Sequence, residues 1–259
     1  MKTLVVNKKV LTLYDSIDEL PIVNFQKYNK YLLIDAGIGS DVDSIDEHIS
    51  RLAKYIKTDL AKASQELQNY RQNLYMIASG ISPKHMAFAA LIHSIDGKKV
   101  EDLSDENLQS ILTDLRTVRR SWLVDLLIKL KKKITLELEL YFPQEFLSSR
   151  EKEVYDKLKR RTQLVLERIL EDKNNAEDVH KIDDYFFSLY KPNSFSGEES
   201  AEIKYDKQFE SLCVLIAQKT SLNAKDMTVL QFYSALDNIK KQAEAEQKAV
   251  NKYKHKNSK

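Results

Sequence analysis

Chain breakers are scarce here: 259 residues carry five Gly and four Pro. β-Sandwiches and Gly-rich nucleotide loops need more turns than these supply, so the main architecture lies elsewhere. Cys213 is the only cysteine, which excludes an internal disulfide and a cysteine-built zinc site. It fits a reducing cytoplasm or a particle assembled there. No apolar run approaches the ~18 residues of a membrane span. Charges interrupt the apolar residues of Met1 to Tyr14, so no signal peptide is expected either. Net charge is +2, and global charge therefore does not single out nucleic acid as partner.

What the chain has instead is helical periodicity. From Ser44 to Ser79 one apolar stripe runs through Ile45, Ile49, Leu52, Ile56, Leu60, Ala63, Leu67, Tyr70, Leu74 and Ile77 in steps of three and four. Lys54, Lys57, Lys62, Glu66, Gln68 and Arg71 fall on the other faces. The spacing predicts a single helix of about 35 residues, roughly 50 Å long. Its seam, foremost Ile45, Ile49, Leu52, Ile56, Leu60 and Leu67, is expected to pack against other long helices.

Around this rod the pattern predicts a mostly α protein, a long-helix bundle with a short N-terminal β-hairpin and an extended polar arm. The alternation in residues 1–14 reads as the hairpin. Residues 15–43 read as acidic loop, with a helix over 24–34 ended by Gly37. Gly80 stops the rod, and Ser82-Pro83 opens a helix carrying Met86, Phe88, Ala89, Leu91 and Ile92. Asp96-Gly97 is a turn, and Ser104 caps a helix over 107–115. A second long helix covers 117–142, with the stripe Leu123, Leu127, Leu130, Ile134, Leu138 and Tyr141. Alternation at 135–141 keeps a strand open there. A third long helix covers 148–172, with Tyr155, Leu158, Val165 and Ile169 on one face. Residues 173–200 read as a polar hinge or arm. Helices follow over 201–219 and 226–253, the last capped by Asp226 and ending in a basic tail. The organisation is thus 1–43, 44–172, 173–200 and 201–259.

Motifs for chemistry are missing their key members. Asp41, Asp43 and Asp46 fail the calcium-loop pattern, since Ile45 and Asp46 stand where an oxygen ligand and Gly are required. Gly37 and Gly39 lack a third Gly at Val42. They read as a backbone turn. His48, His85, His93, His180 and His255 form no His-Glu-x-x-His pattern, and the spacing of His85 and His93 is too wide for one metal ion. Cys213 sits in an apolar run with no base partner signalled. No catalytic residue, cofactor or metal is expected, and the chain reads as no enzyme.

Positive charge is local. Arg116, Arg119 and Arg120 precede Trp122, Lys129, Lys131, Lys132 and Lys133 follow it on the second long helix, and Lys157, Arg160 and Arg161 lie on the third. Antiparallel packing of these helices through Pro143 would join them into a band facing phosphate or an acidic partner. Solvated helix faces are the plainer account. Residues 15–47 hold eight acids against two lysines, and 240–259 hold seven lysines against two glutamates. Opposite ends of this kind suit head-to-tail contact between copies, which closes into a ring.

Three stretches resemble one protein family. Glu19-Leu20-Pro21-Ile22 with Phe25-Gln26-Lys27-Tyr28-Asn29-Lys30-Tyr31, then Ala87 to Gly97, then Leu136 to Pro143 are similar to successive blocks of a family from crAss-like tailed phages of gut bacteria. The end segment Asp226 to Tyr233 resembles a helix of phage tail assembly chaperones. The likeness covers about residues 15–170 and carries over no functional residue. It implies a virion protein, assembled in the host cytoplasm, that forms a dodecameric ring between portal and tail. Its partners would be copies of itself, other portal or tail proteins and packaged DNA, with no membrane. A tail assembly chaperone is the alternative the likeness leaves open. The basic band leaves a helical nucleic-acid binder open as another.

Overall fold

The computed structural model describes residues 1–6, 8–39, 43–80, 82–115, 120–146, 149–171, 174–189, 194–195 and 197–257. The described residues are 76% helical, with eleven helices and an N-terminal antiparallel hairpin among them. β1 (Lys2–Val6) pairs with β2 (Lys9–Leu13). Leu11 and Leu13 point into the core while Val10 faces out, the period of two that the sequence showed. Two further strands join them. β3 (Ile92–Ile95) lies antiparallel beside β2, and β4 (Lys98–Lys99) beside β3. Ile92 therefore belongs to a strand, not to the preceding helix. That strand is too short to announce itself in a sequence.

α1 (Ile22–Ile38) is the central rod. Ile22, Phe25, Tyr28, Tyr31, Ile34 and Ile38 are buried along it. It extends the helix expected over 24–34 at both ends and stops at Gly39 rather than Gly37, with φ +76° at Gly39, a conformation open mainly to Gly. Gly37 lies inside the helix, where an added Cβ would stand 2.1 Å from the Phe195 ring. α4 (Pro83–Ala90) packs on α1 through Ala87, Phe88, Ala89 and Ala90, all fully buried. Asn24 crosses the contact and donates to the Ala90 carbonyl at 2.9 Å.

The long rod is not one rod. α2 (Asp43–Thr58) and α3 (Leu60–Ser79) are separated by Asp59, whose backbone is extended (φ −159°, ψ 98°) and whose side chain accepts from the Lys62 N–H at 3.1 Å. The expectation of a single helix is corrected here. An aspartate can cap a new helix with its own carboxylate, so the chain breaks without Gly or Pro. His48 and Arg51 meet Glu66, and the Lys62 ammonium stands over the Tyr55 ring. These pairings make α2 and α3 an antiparallel hairpin.

α5 (Asp105–Asp114) is capped by Ser104 as expected. α6 (Arg120–Tyr141) is helical throughout, which resolves the strand ambiguity at 134–142. Leu123, Leu127, Leu130, Ile134 and Leu138 are buried, and Phe142 rather than Tyr141 continues them. The Glu137 carboxylate on α6 accepts from Ser16 Oγ and the Ile17 N–H, both at 2.9 Å, and so fastens the β2–α1 connection. α7 (Pro143–Phe146) is a single turn. α8 (Ser149–Glu171) does not fold back on α6. It pairs with α9 (Ala176–Leu189), a helix standing where a polar arm was expected. Among the described side chains of α8, Leu164 is buried, Val165 of the expected face is half-buried and Leu158 is half-exposed. Tyr155 and Ile169 have side chains outside the described residues.

α10 (Ala201–Thr220) and α11 (Val229–Asn257) close the fold, linked by a 3-10 turn at Ala224–Asp226. Asp226 does not cap α11. Thr228 Oγ1 accepts from the Gln231 N–H while the Gln231 side chain accepts from the Thr228 N–H, a reciprocal capping box. Phe232 stacks on Phe209, and Tyr233 meets Phe25, Phe142 and Phe146 edge-on or tilted.

Spin labels at Asp46 and Tyr75 test the hairpin. A separation under ~25 Å is expected, since packed helices lie ~8–10 Å apart. A continuous helix would place them ~44 Å apart.

Candidate functional site

The α2–α3 hairpin carries the most unusual surface of the chain. Its interior is polar. His48, Glu66, Asn69 and Asn73 are 0–2% exposed, with Tyr55 and Ala63 the apolar fillers. His48 Nδ1 lies 2.6 Å from a Glu66 carboxylate oxygen, and the Arg51 Nε donates to the same oxygen at 2.7 Å. His48 Nε2 lies 2.6 Å from the Ile38 carbonyl at the end of α1, and Asn73 donates to that carbonyl at 2.8 Å. Burial alone would push the Glu66 carboxyl up. Hydrogen bonds and charge from His48 and Arg51 outweigh it and hold the carboxyl below its ordinary value. This cluster joins α1, α2 and α3, with the His48 and Glu66 side chains 1% and 2% exposed.

With polar groups inside, the apolar stripe turns outward. Ile49, Ile56, Leu67 and Leu74 each follow an inward residue by one position: His48, Tyr55, Glu66 and Asn73. One position is a turn of about 100°. Because the two helices run antiparallel, that turn carries both rows onto the same side of the hairpin. Ile49 is 50% exposed, Ile56 57%, Leu60 74%, Leu67 39% and Leu74 40%. Ile45 and Leu52 are half-buried beside them. The expected stripe is therefore divided: Ala63 is buried inside the hairpin and Tyr70 meets the His48 ring, whereas Ile49, Ile56, Leu60, Leu67 and Leu74 lie exposed. The opposite side of the hairpin is polar and occupied. Lys54 donates to Asp184 of α9 at 2.7 Å, and Gln72 donates to the Phe195 carbonyl at 3.2 Å.

The described members of the expected basic band lie on α6 and α8, and several already pair with carboxylates. Arg116 and Arg119, and the side chain of Arg120, lie outside the described residues. Lys129, Lys131 and Lys132 are exposed on α6. Lys133 pairs with Asp15 at 2.9 Å, Arg160 with Glu167 at 3.5 Å and Arg161 with Asp183 at 2.5 Å. Lys157 pairs with Glu153 at 3.9 Å and stands over the Tyr185 ring. Cations already matched to carboxylates have less to gain from phosphate. The acidic stretch is matched in the same way, Asp35 with Lys84 and Glu47 with Arg51.

The remaining candidates read as structure. Asp41 and the side chain of Asp43 lie outside the described residues. Among the described residues no three His, Cys, Asp or Glu side chains converge to hold a metal ion. Cys213 is buried, and burial pushes its thiol pKa up, away from a reactive thiolate. His93 packs edge-on against Tyr14. An open groove of about 890 Å³ between α10 and α11 is lined by Leu222, Met227, Leu230, Ile239, Asp226 and Gln231. Its ionisable lining residues are Asp226 and Lys219. No described helix is long and apolar enough to cross a membrane. Compared with protein-family models, curated proteins and solved structures, the chain shows no match.

The polar interior was missed from the sequence because His48 and Glu66 are 18 apart and the continuous stripe hid the break. Asp59 before Leu60, as an available cap, was the signal. Glu66→Ala is expected to cost ~3–5 kcal/mol, as for other broken buried pairs, read as a lower urea midpoint at unchanged slope. The Glu66 carboxyl is depressed in the fold, so its contribution is complete above the unfolded value of 4.5. It fades as pH falls through the lower folded value. The gap between wild type and Glu66→Ala should narrow over that acid range.

Proposed function

We propose that this chain is a non-enzymatic structural subunit of a tailed-phage particle, assembling with copies of itself into a ring of the head–tail connector or tail. The observation that carries this reading is the outward apolar stripe of the hairpin, with five large aliphatic side chains 39–74% exposed on one side. A contiguous apolar face of this extent marks an interaction site on an otherwise water-facing chain. It calls for a protein partner and for no catalytic group. The resemblance of residues 15–170 to the crAss-like phage family supplies the setting. The pairing of Lys133, Lys157, Arg160 and Arg161 with carboxylates weighs against the nucleic-acid reading.

Native mass spectrometry of the purified chain, with proteomics of purified particles, tests it. A closed oligomer and a place in the particle are expected. A monomer absent from particles points instead to a tail assembly chaperone. Mass that holds between low and high salt puts the contact on the apolar face. Mass that falls with salt puts it on the acidic and basic ends.

A further inference from the structure

Past Ile239 the last helix is wet on every side. Residues 241–249 are exposed without a break, and α11 continues to Asn257. A helix with no packed face has little to hold it in water. Along its earlier turns lies the open groove described above, lined by Gln231, Ala235, Ile239 and Gln242 of α11 and by Leu222 and Met227. Leu222 stands 58% exposed there.

One line of positions joins the groove to the bare turns. Ala235, Ile239, Gln242, Glu246, Ala249 and Tyr253 follow in steps of four, three, four, three and four, the spacing of a helix-pairing seam. At about 100° per residue they share an arc of about 80°. None of the lysines of α11 falls within it.

We propose that α11 of one copy pairs antiparallel with α11 of a second, about a two-fold axis level with Glu244. The seam is complementary to its own reverse. In that alignment Ala235 faces Tyr253 of the second copy, Ile239 faces Ala249, and Gln242 faces Glu246. Each pair occurs twice, as an isologous contact requires. Large thus meets small at two levels, and at the third the Gln242 amide donates to the Glu246 carboxylate. The bare turns of each copy enter the groove of the other and cover Leu222. Glu244 lies about 180° from Ala235, so the two Glu244 side chains stay apart. Other alignments of the same helices do worse. Sliding one of them by seven residues sets Ile239 against Gln242 and Ala235 against Glu246. A parallel pair sets Glu246 against Glu246, a costly like-charge contact. The contact is separate from the α2–α3 face. A two-fold pair is complete at two copies, so it doubles a ring and does not build one.

Ala249→Glu tests the pairing at an exposed position, where unchanged circular dichroism and urea midpoint verify the fold. It sets a carboxylate against Ile239 of the second copy. Association through α11 is expected to weaken on the order of 100-fold, which halves the native mass whether or not a ring contact also forms. Gln242→Glu sets like charges together and should weaken the pair at least about tenfold. Adding Glu246→Lys to that variant makes the facing groups opposite in charge and should restore the mass. Wild-type mass retained by Ala249→Glu would overturn the α11 pair and leave the ring reading on the hairpin face. Mass lost in Gln242→Glu and not regained with Glu246→Lys would overturn the alignment. A wild-type chain monomeric at high concentration would sink the pair and the ring together.

Discussion

A carboxylate with almost no access to water holds the hairpin together. Glu66 gathers the Arg51 guanidinium and the His48 ring, and His48 reaches on to the Ile38 carbonyl at the end of α1. Each member is costly to bury alone and tolerable only with the others. The cluster therefore fixes how α2 lies on α3 and how both sit on α1. It also decides what the hairpin shows to solvent. Every interior position taken by a polar residue displaces an aliphatic one, and the displaced row is the apolar face. Function, on the proposed reading, follows from what the interior excludes.

Much of the architecture was legible because it is written locally. The N-terminal hairpin alternates at period two, Ser104 and Ser82-Pro83 open helices, and the leucines of α6 hold one stripe through the stretch that also alternates. What was not legible depends on partners distant in sequence or on signals of one residue. Asp59 breaks the rod without Gly or Pro. β3 exists because β2 offers it a ladder, as shown by Leu11 opposite Ile95. α9 was hidden by the polar run around Tyr185-Phe186, whose aspartates pair with Arg161 and Lys54. The candidate site divides in the same way. The spacing of the stripe was readable, although its member Ala63 turns inward. Its direction was not, because the polar residues opposite it gain their meaning only once His48 meets Glu66.

The two kinds of surface charge also separate. The basic residues of α6 and α8 are close in sequence to Pro143, but α8 leaves α6 and pairs with α9. Lys133 is drawn to Asp15 and Arg161 to Asp183. Charge in this chain mostly ties elements together: Lys27 and Tyr31 to Asp105, Lys30 to Asp206. Surface pairs like these contribute little each, but they leave apolar area as the main attraction on offer to a partner.

The polar interior of the hairpin has a further effect. A leucine-filled interface between two helices can slide by a turn at small cost, since one leucine serves much like another. Here a slide would strand a carboxylate and a guanidinium in a dry gap, so only one alignment survives. The two outward rows are thereby held at a fixed stagger before any neighbour arrives. A partner meeting that face finds it pre-organised and loses little conformational freedom in docking.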